Sequence, residues 1–156
     1  MTATDGRDES VNERLDRNWS EILQELRVTQ TGTQILTGFL LTISFQQKFD
    51  TITADQQLIY LVLVGLAVLT TAVGLAPVSL HRALFRRHAK LTIVRFGHVV
   101  LRLMLLGVGL VLTGVVLLVF DVVAGRTAGL VAGGATALVI AAIALLPRLP
   151  HFVRPS

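Results

Sequence analysis

The chain has 156 residues, of which 53% are hydrophobic and only 15% charged. That balance departs from the soluble average and leaves little chain for a soluble domain once the apolar stretches are set aside. The net charge of +4 would suit a nucleic-acid binder, but the basic residues lie between apolar segments and not along a groove-tracking stripe. With no cysteine, a disulfide framework, a thiolate nucleophile and a zinc knuckle are all excluded.

Met1–Ser10 are polar and acidic, which predicts no cleaved secretory signal, and residues 1–12 are expected to be disordered. The first apolar stretch is then expected to act as the insertion signal. From about Ser10 to Leu26 the pattern turns helical: Leu15, Trp19, Ile22, Leu23 and Leu26 share a face, and Glu13, Arg17 and Glu21 form an i, i+4 ladder. Neither glycine nor proline occurs between Val11 and Thr31, so one long helix should begin outside the membrane and run straight into it. Between Asp5 and Arg27 seven acids (Asp5, Asp8, Glu9, Glu13, Asp16, Glu21, Glu25) face four arginines (Arg7, Arg14, Arg17, Arg27). A net negative helix is poorly suited to lie on anionic lipid. It suits a protein contact instead, a clasp in which Glu21 or Glu25 reaches Arg82, Arg86 or Arg87 of the same or a neighbouring subunit. The plainer alternative is a solvated acidic face, because exposed ion pairs contribute little.

Four apolar stretches follow, at 28–45, 58–77, 96–120 and 127–146. A bilayer core takes about 20 apolar residues in helical form. The expected fold is therefore all-α, an integral membrane bundle of four transmembrane helices over residues 13–147, with a tail at 148–156. The first span is unusually polar, and Gln30, Thr33, Gln34, Thr37 and Ser44 fall in one helical sector. An unpaired amide or hydroxyl in hydrocarbon costs free energy, so this face should look into the bundle, a subunit interface or a water-filled path. Gly32 and Gly38 would let another helix approach closely. The second span ends at Pro77, which should kink or stop the helix, leaving 78–89 as a short amphipathic helix. The third is entered through His98 and Arg102, whose long side chains can snorkel to headgroups. A six-residue link at 121–126 makes spans three and four an antiparallel hairpin. In the fourth span Gly125, Gly129, Gly133, Ala137 and Ala141 recur every fourth residue, a small-residue seam for helix packing against span three or another subunit.

Lys and Arg concentrate in the amino-terminal segment, in the loop between spans two and three, and in the tail. The other two loops hold only Lys48 and Arg126. That asymmetry predicts a multi-pass protein of the cell membrane with both termini cytoplasmic.

No catalytic constellation is visible, and the four histidines His81, His88, His98 and His151 lack metal spacing. The chain is therefore expected to be no enzyme and to take no cofactor and no metal. The middle of the apolar stretches contains no acid, which weighs against carboxylate-coupled proton or sodium antiport.

Two segments, ILQELRVTQTGTQ at 22–34 and APVSLHRALFRR at 76–87, resemble a family of small actinobacterial membrane proteins, DUF6328, whose function is unknown. The resemblance covers nearly the whole chain, and some members are labelled sodium:proton antiporters. It singles out Glu25, Arg27, Gln30, Thr31, Gly32 and Gln34, with His81, Arg82, Arg86 and Arg87.

The leading functional expectation is a non-enzymatic membrane protein, with the lipid bilayer and either copies of itself or another membrane protein as partners, and no nucleic acid. The alternative is an oligomeric passive channel for an ion or small solute, lined by the Gln/Thr face of the first span.

Overall fold

The computed structural model of the protein describes residues 10–84 and 90–146. Four helices follow one another: α1 (Val11–Ile43), α2 (Ala54–Leu84), α3 (Lys90–Ala124) and α4 (Arg126–Leu145). A 3-10 turn, Gln47–Thr51, joins α1 to α2.

The long first helix forms as expected, without a break over 33 residues, or about 50 Å of rise. Its start is set by Ser10. The serine hydroxyl accepts from the Glu13 N–H, while the Glu13 carboxylate accepts from the Ser10 N–H at 2.8 Å, a reciprocal capping box. Farther along, Arg17 and Glu21 approach to 3.9 Å, as the i, i+4 spacing predicted.

Two of the sequence-drawn boundaries shift. α2 runs on through Pro77 to Leu84 instead of ending at the proline, and Pro77 is fully buried. A proline removes one backbone donor, but burial of its ring offsets part of that cost, and apolar helices tolerate such an interruption when neighbours pack around it. The link between α3 and α4 is also shorter than six residues. It is the single residue Gly125, at φ +90°, where a side chain would be strained. The Gly125 N–H closes α3 by donating to the Asp121 carbonyl at 3.0 Å.

Three helical segments are long and apolar enough to cross a membrane: Ala54–Pro77, Val94–Ala124 and Arg126–Leu145. α1 is not among them, because its threonines, glutamines and glycines lower its hydropathy, although its second half lies alongside the apolar stretches of α2 and α3. At the end near the chain start, Ile22 and Leu26 of α1 pack with Val94, Val100, Leu101 and Met104 of α3. At the opposite end Leu40 packs with Tyr60, Leu63 and Ala67 of α2 and with Val111 and Leu118 of α3.

α3 is the central helix and packs against each of the other three. α4 rests on α3 and has at most sparse contact with α1 and α2. The arrangement is therefore a three-helix core, α1 to α3, with α4 docked on its side. Only 11% of the most apolar window of α4 is buried. The uncovered surface of α2, α3 and α4 is dominated by Leu, Val and Ile, among them Leu61, Leu69, Leu106, Leu138 and Ile143. Apolar surface on this scale is what a lipid environment or a partner would cover.

Candidate functional site

The polar residues of α1 are the natural place to look for function, and their hydroxyls turn out to be engaged within the helix. Thr29, Thr31, Thr33, Thr37 and Thr42 each donate to the carbonyl four residues earlier, at 2.8 to 3.0 Å. A hydroxyl has one proton. Once that proton is given to the residue's own helix, the threonine presents mainly its methyl group to neighbours.

Ser44 has a different task. A helix leaves its last four carbonyls without intrahelical donors, and at the end of α1 each of the four finds one. Leu40 receives the Tyr60 hydroxyl at 2.8 Å and Leu41 receives the Ser44 hydroxyl at 2.8 Å. Thr42 and Ile43 receive the N–H groups of Phe45 and Gln46, both at 3.1 Å. Ser44 thus caps its own helix.

The five residues expected to form one wall are divided by the fold. Thr33 is buried, Gln30 and Thr37 are half-buried, and Gln34 and Ser44 are exposed. The Gln30 amide carbon lies 3.8 Å from where a Cβ on Gly74 of α2 would stand, so Gln30 packs inside the chain. Gln34 points outward and has no hydrogen-bond partner among the described residues. On its lane lie Thr31 and Gly38, also exposed, and nothing comes within 4 Å of the Cβ position at Gly38 or Gly32. Among the described residues, then, no helix makes the close approach that these two glycines allow.

The small-residue seam of α4 is divided too. A Cβ on Gly129 would stand 2.8 Å from the Leu117 carbonyl oxygen, and one on Gly133 would stand 2.9 Å from the Leu117 Cβ, so both glycines meet α3. Ala137 and Ala141 are exposed, and the contact line passes instead through half-buried Thr136 and Ile140. The reason is helical phase. A step of four residues turns about 400°, so a strict i+4 ladder drifts about 40° per step. Gly125, first in the ladder, serves as the turn and has open space around its Cβ position.

Of the proposed clasp, Glu21 and Glu25 are exposed and border a groove on α1 and α3 with Gln24, Val28, Thr29, Leu101 and Leu105. Arg86 and Arg87, the other half of that clasp, lie outside the described residues, as does the side chain of Arg82.

Two polar contacts went unnoticed in the sequence. One is the Tyr60–Leu40 bond; nothing local marks a tyrosine as the cap of a helix 20 residues away. The other joins Asp121, whose side chain is 4% exposed, to the Arg126 guanidinium at 3.0 Å across the Gly125 turn. Opposite charges five residues apart around a glycine were the available signal. Among the described residues no group of three or more His, Asp or Glu is placed to hold a metal ion.

The model of a family described as a family of unknown function, DUF6328, matches residues 8–147. No curated protein and no solved structure matches the chain. With the match extending from before the α1 cap to just past the end of α4, the chain belongs to the DUF6328 family.

Proposed function

We propose that this chain is a non-enzymatic, multi-pass membrane protein that assembles with copies of itself through the outer lane of α1. The observation that carries this is Gln34, an exposed primary amide without a partner among the described residues, flanked by Val28, Ile35 and Phe39, all exposed. In lipid such a group costs free energy until it is paired. An amide both donates and accepts, so two copies related by a two-fold axis satisfy each other reciprocally. Open Gly38 and the methyl side of Thr31 let the two backbones approach.

The experiment is Gln34→Leu, with oligomeric state measured by cross-linking in liposomes. Self-association should weaken by about five- to thirtyfold, the worth of an interhelical amide pair of about 1–2 kcal/mol. An oligomer of unchanged strength would remove the basis of the reading. Ion flux through the same liposomes separates the channel alternative: flux in wild type that Gln34→Leu alters at matched oligomer size favours a pore.

A further inference from the structure

α3 carries two arginines and a histidine on one lane. Arg95, His98 and Arg102 are spaced i, i+3 and i+7, and all three are exposed. Arg102 and Arg95 lie roughly two and four turns before Gly109 on the lane against which α4 packs, since a Cβ on Gly109 would stand 3.1 Å from Ile140. α4 ends at Leu145, five residues beyond Ile140, or about 7 Å farther on. Arg102 sits about 10 Å along α3 from Gly109, so the strip begins where α4 stops covering α3.

The depth of the strip follows from helix length. The apolar segment of α3, Val94–Ala124, has 31 residues and rises about 46 Å, well over the roughly 30 Å of a hydrocarbon core. α4, with 20 residues and about 30 Å, matches that core from end to end. Set across a bilayer, α3 and α4 would place the Asp121–Arg126 pair of their connecting turn at one boundary of the core. About 20 residues back from Asp121 along α3 the opposite boundary falls near Leu101. In that placement Arg102 would stand at the hydrocarbon edge, with His98 and Arg95 in the headgroup layer beyond it. Among the described residues no carboxylate comes within ion-pair distance of Arg95 or Arg102.

We infer that Arg95, His98 and Arg102 form a binding strip for the phosphate of an anionic phospholipid headgroup, seated below the end of α4. Guanidinium groups pair phosphate oxygens through two parallel N–H bonds, and the apolar residues Leu103 and Leu106 just above the strip lie where the acyl chains of that lipid would run. This requires that α3 and α4 cross the membrane, and it is independent of pairing through α1.

The test is thermal unfolding of the purified full chain in neutral detergent micelles, titrated with phosphatidylglycerol, phosphatidylcholine or inorganic phosphate. Phosphatidylglycerol should raise the midpoint of the wild type saturably, and phosphatidylcholine should not. Arg95→Gln/Arg102→Gln should weaken that apparent affinity about thirtyfold, and either single change about fivefold, as expected for charges that each attract an anionic surface. The single changes serve if the pair does not fold. Arg7→Gln/Arg14→Gln, equal in charge but placed before or early in α1, should bind like the wild type. An unchanged affinity in the α3 variants, an equal loss in the Arg7/Arg14 control, or the same saturable shift with inorganic phosphate would each overturn the inference.

Discussion

The Tyr60 hydroxyl donates to the Leu40 carbonyl at 2.8 Å, fastening the start of α2 to the end of α1 in a buried setting. The carbonyl is one of those that a helix end leaves without a donor, and the tyrosine is held edge-on to Phe49 with ring centres 4.8 Å apart. Tyr60→Phe keeps the ring contact and removes only the donor. The expected cost is about 1–3 kcal/mol, the penalty for a buried acceptor left unpaired. Denaturant unfolding in micelles measures it, and a loss near zero would mean that another donor or water takes over the carbonyl.

Two glycines of α4 make a matched pair for testing its contact with α3. At Gly129 an added methyl would meet backbone, the Leu117 carbonyl oxygen at 2.8 Å and the Asp121 nitrogen at 3.0 Å, neither of which can turn aside. Gly129→Ala should therefore cost about 1–3 kcal/mol through forced separation of the helices. At Gly134 nothing lies within 4 Å, so Gly134→Ala should stabilise by about 0.5–1 kcal/mol from helix propensity alone. Unfolding midpoints of the two variants on opposite sides of the wild type are the expected result. The same sign for both would mean that α4 is not seated on α3 as described.

The capping box gives α1 a pH-dependent start. Hydrogen bonds from the Ser10 backbone and then from the Ser10 hydroxyl hold the Glu13 carboxyl below the usual range for a glutamate. A lowered value in the folded state means that the stabilising contribution is present above the ordinary glutamate value. It is lost as pH falls through the lowered one. Hydrogen exchange at the first turn of α1, corrected for the intrinsic rate, should thus show increasing fraying on acidification, while Glu13→Gln should flatten the dependence. At neutral pH Ser10→Ala should cost about 1 kcal/mol. Protection that does not change with pH would show that the box contributes nothing.

Composition and periodicity were enough to determine the helical class and the continuous first helix, and three of the four apolar stretches they marked lie in helices long and apolar enough to cross a membrane, because each depends on residues near one another in sequence. The same holds for the α3–α4 hairpin, although its turn is Gly125 alone. α1, the fourth expected span, falls outside that group for a physical reason: hydropathy counts a threonine as polar wherever its proton goes. Only the folded chain showed that Thr29, Thr31, Thr33, Thr37 and Thr42 spend that proton on their own helix.

The rest was decided by tertiary packing. A helical wheel places Gln30, Thr33 and Gln34 in one sector, yet the sector is about 100° wide, and the edge of a neighbouring helix can fall inside it. Here α2 and α3 cover Thr33 and part of Gln30 and leave Gln34 outside. In α4 the ladder of small residues is visible in sequence, but which of its members meet α3 depends on how a 400° step carries them around the axis. Gly129 and Gly133 therefore seat the helix while Ala137 and Ala141 turn away. Which residues are small, polar or charged, and how they repeat, can be read along the chain. Which of them are covered was settled by where α3 lies, because a helix has one phase and a neighbour can touch only one side of it.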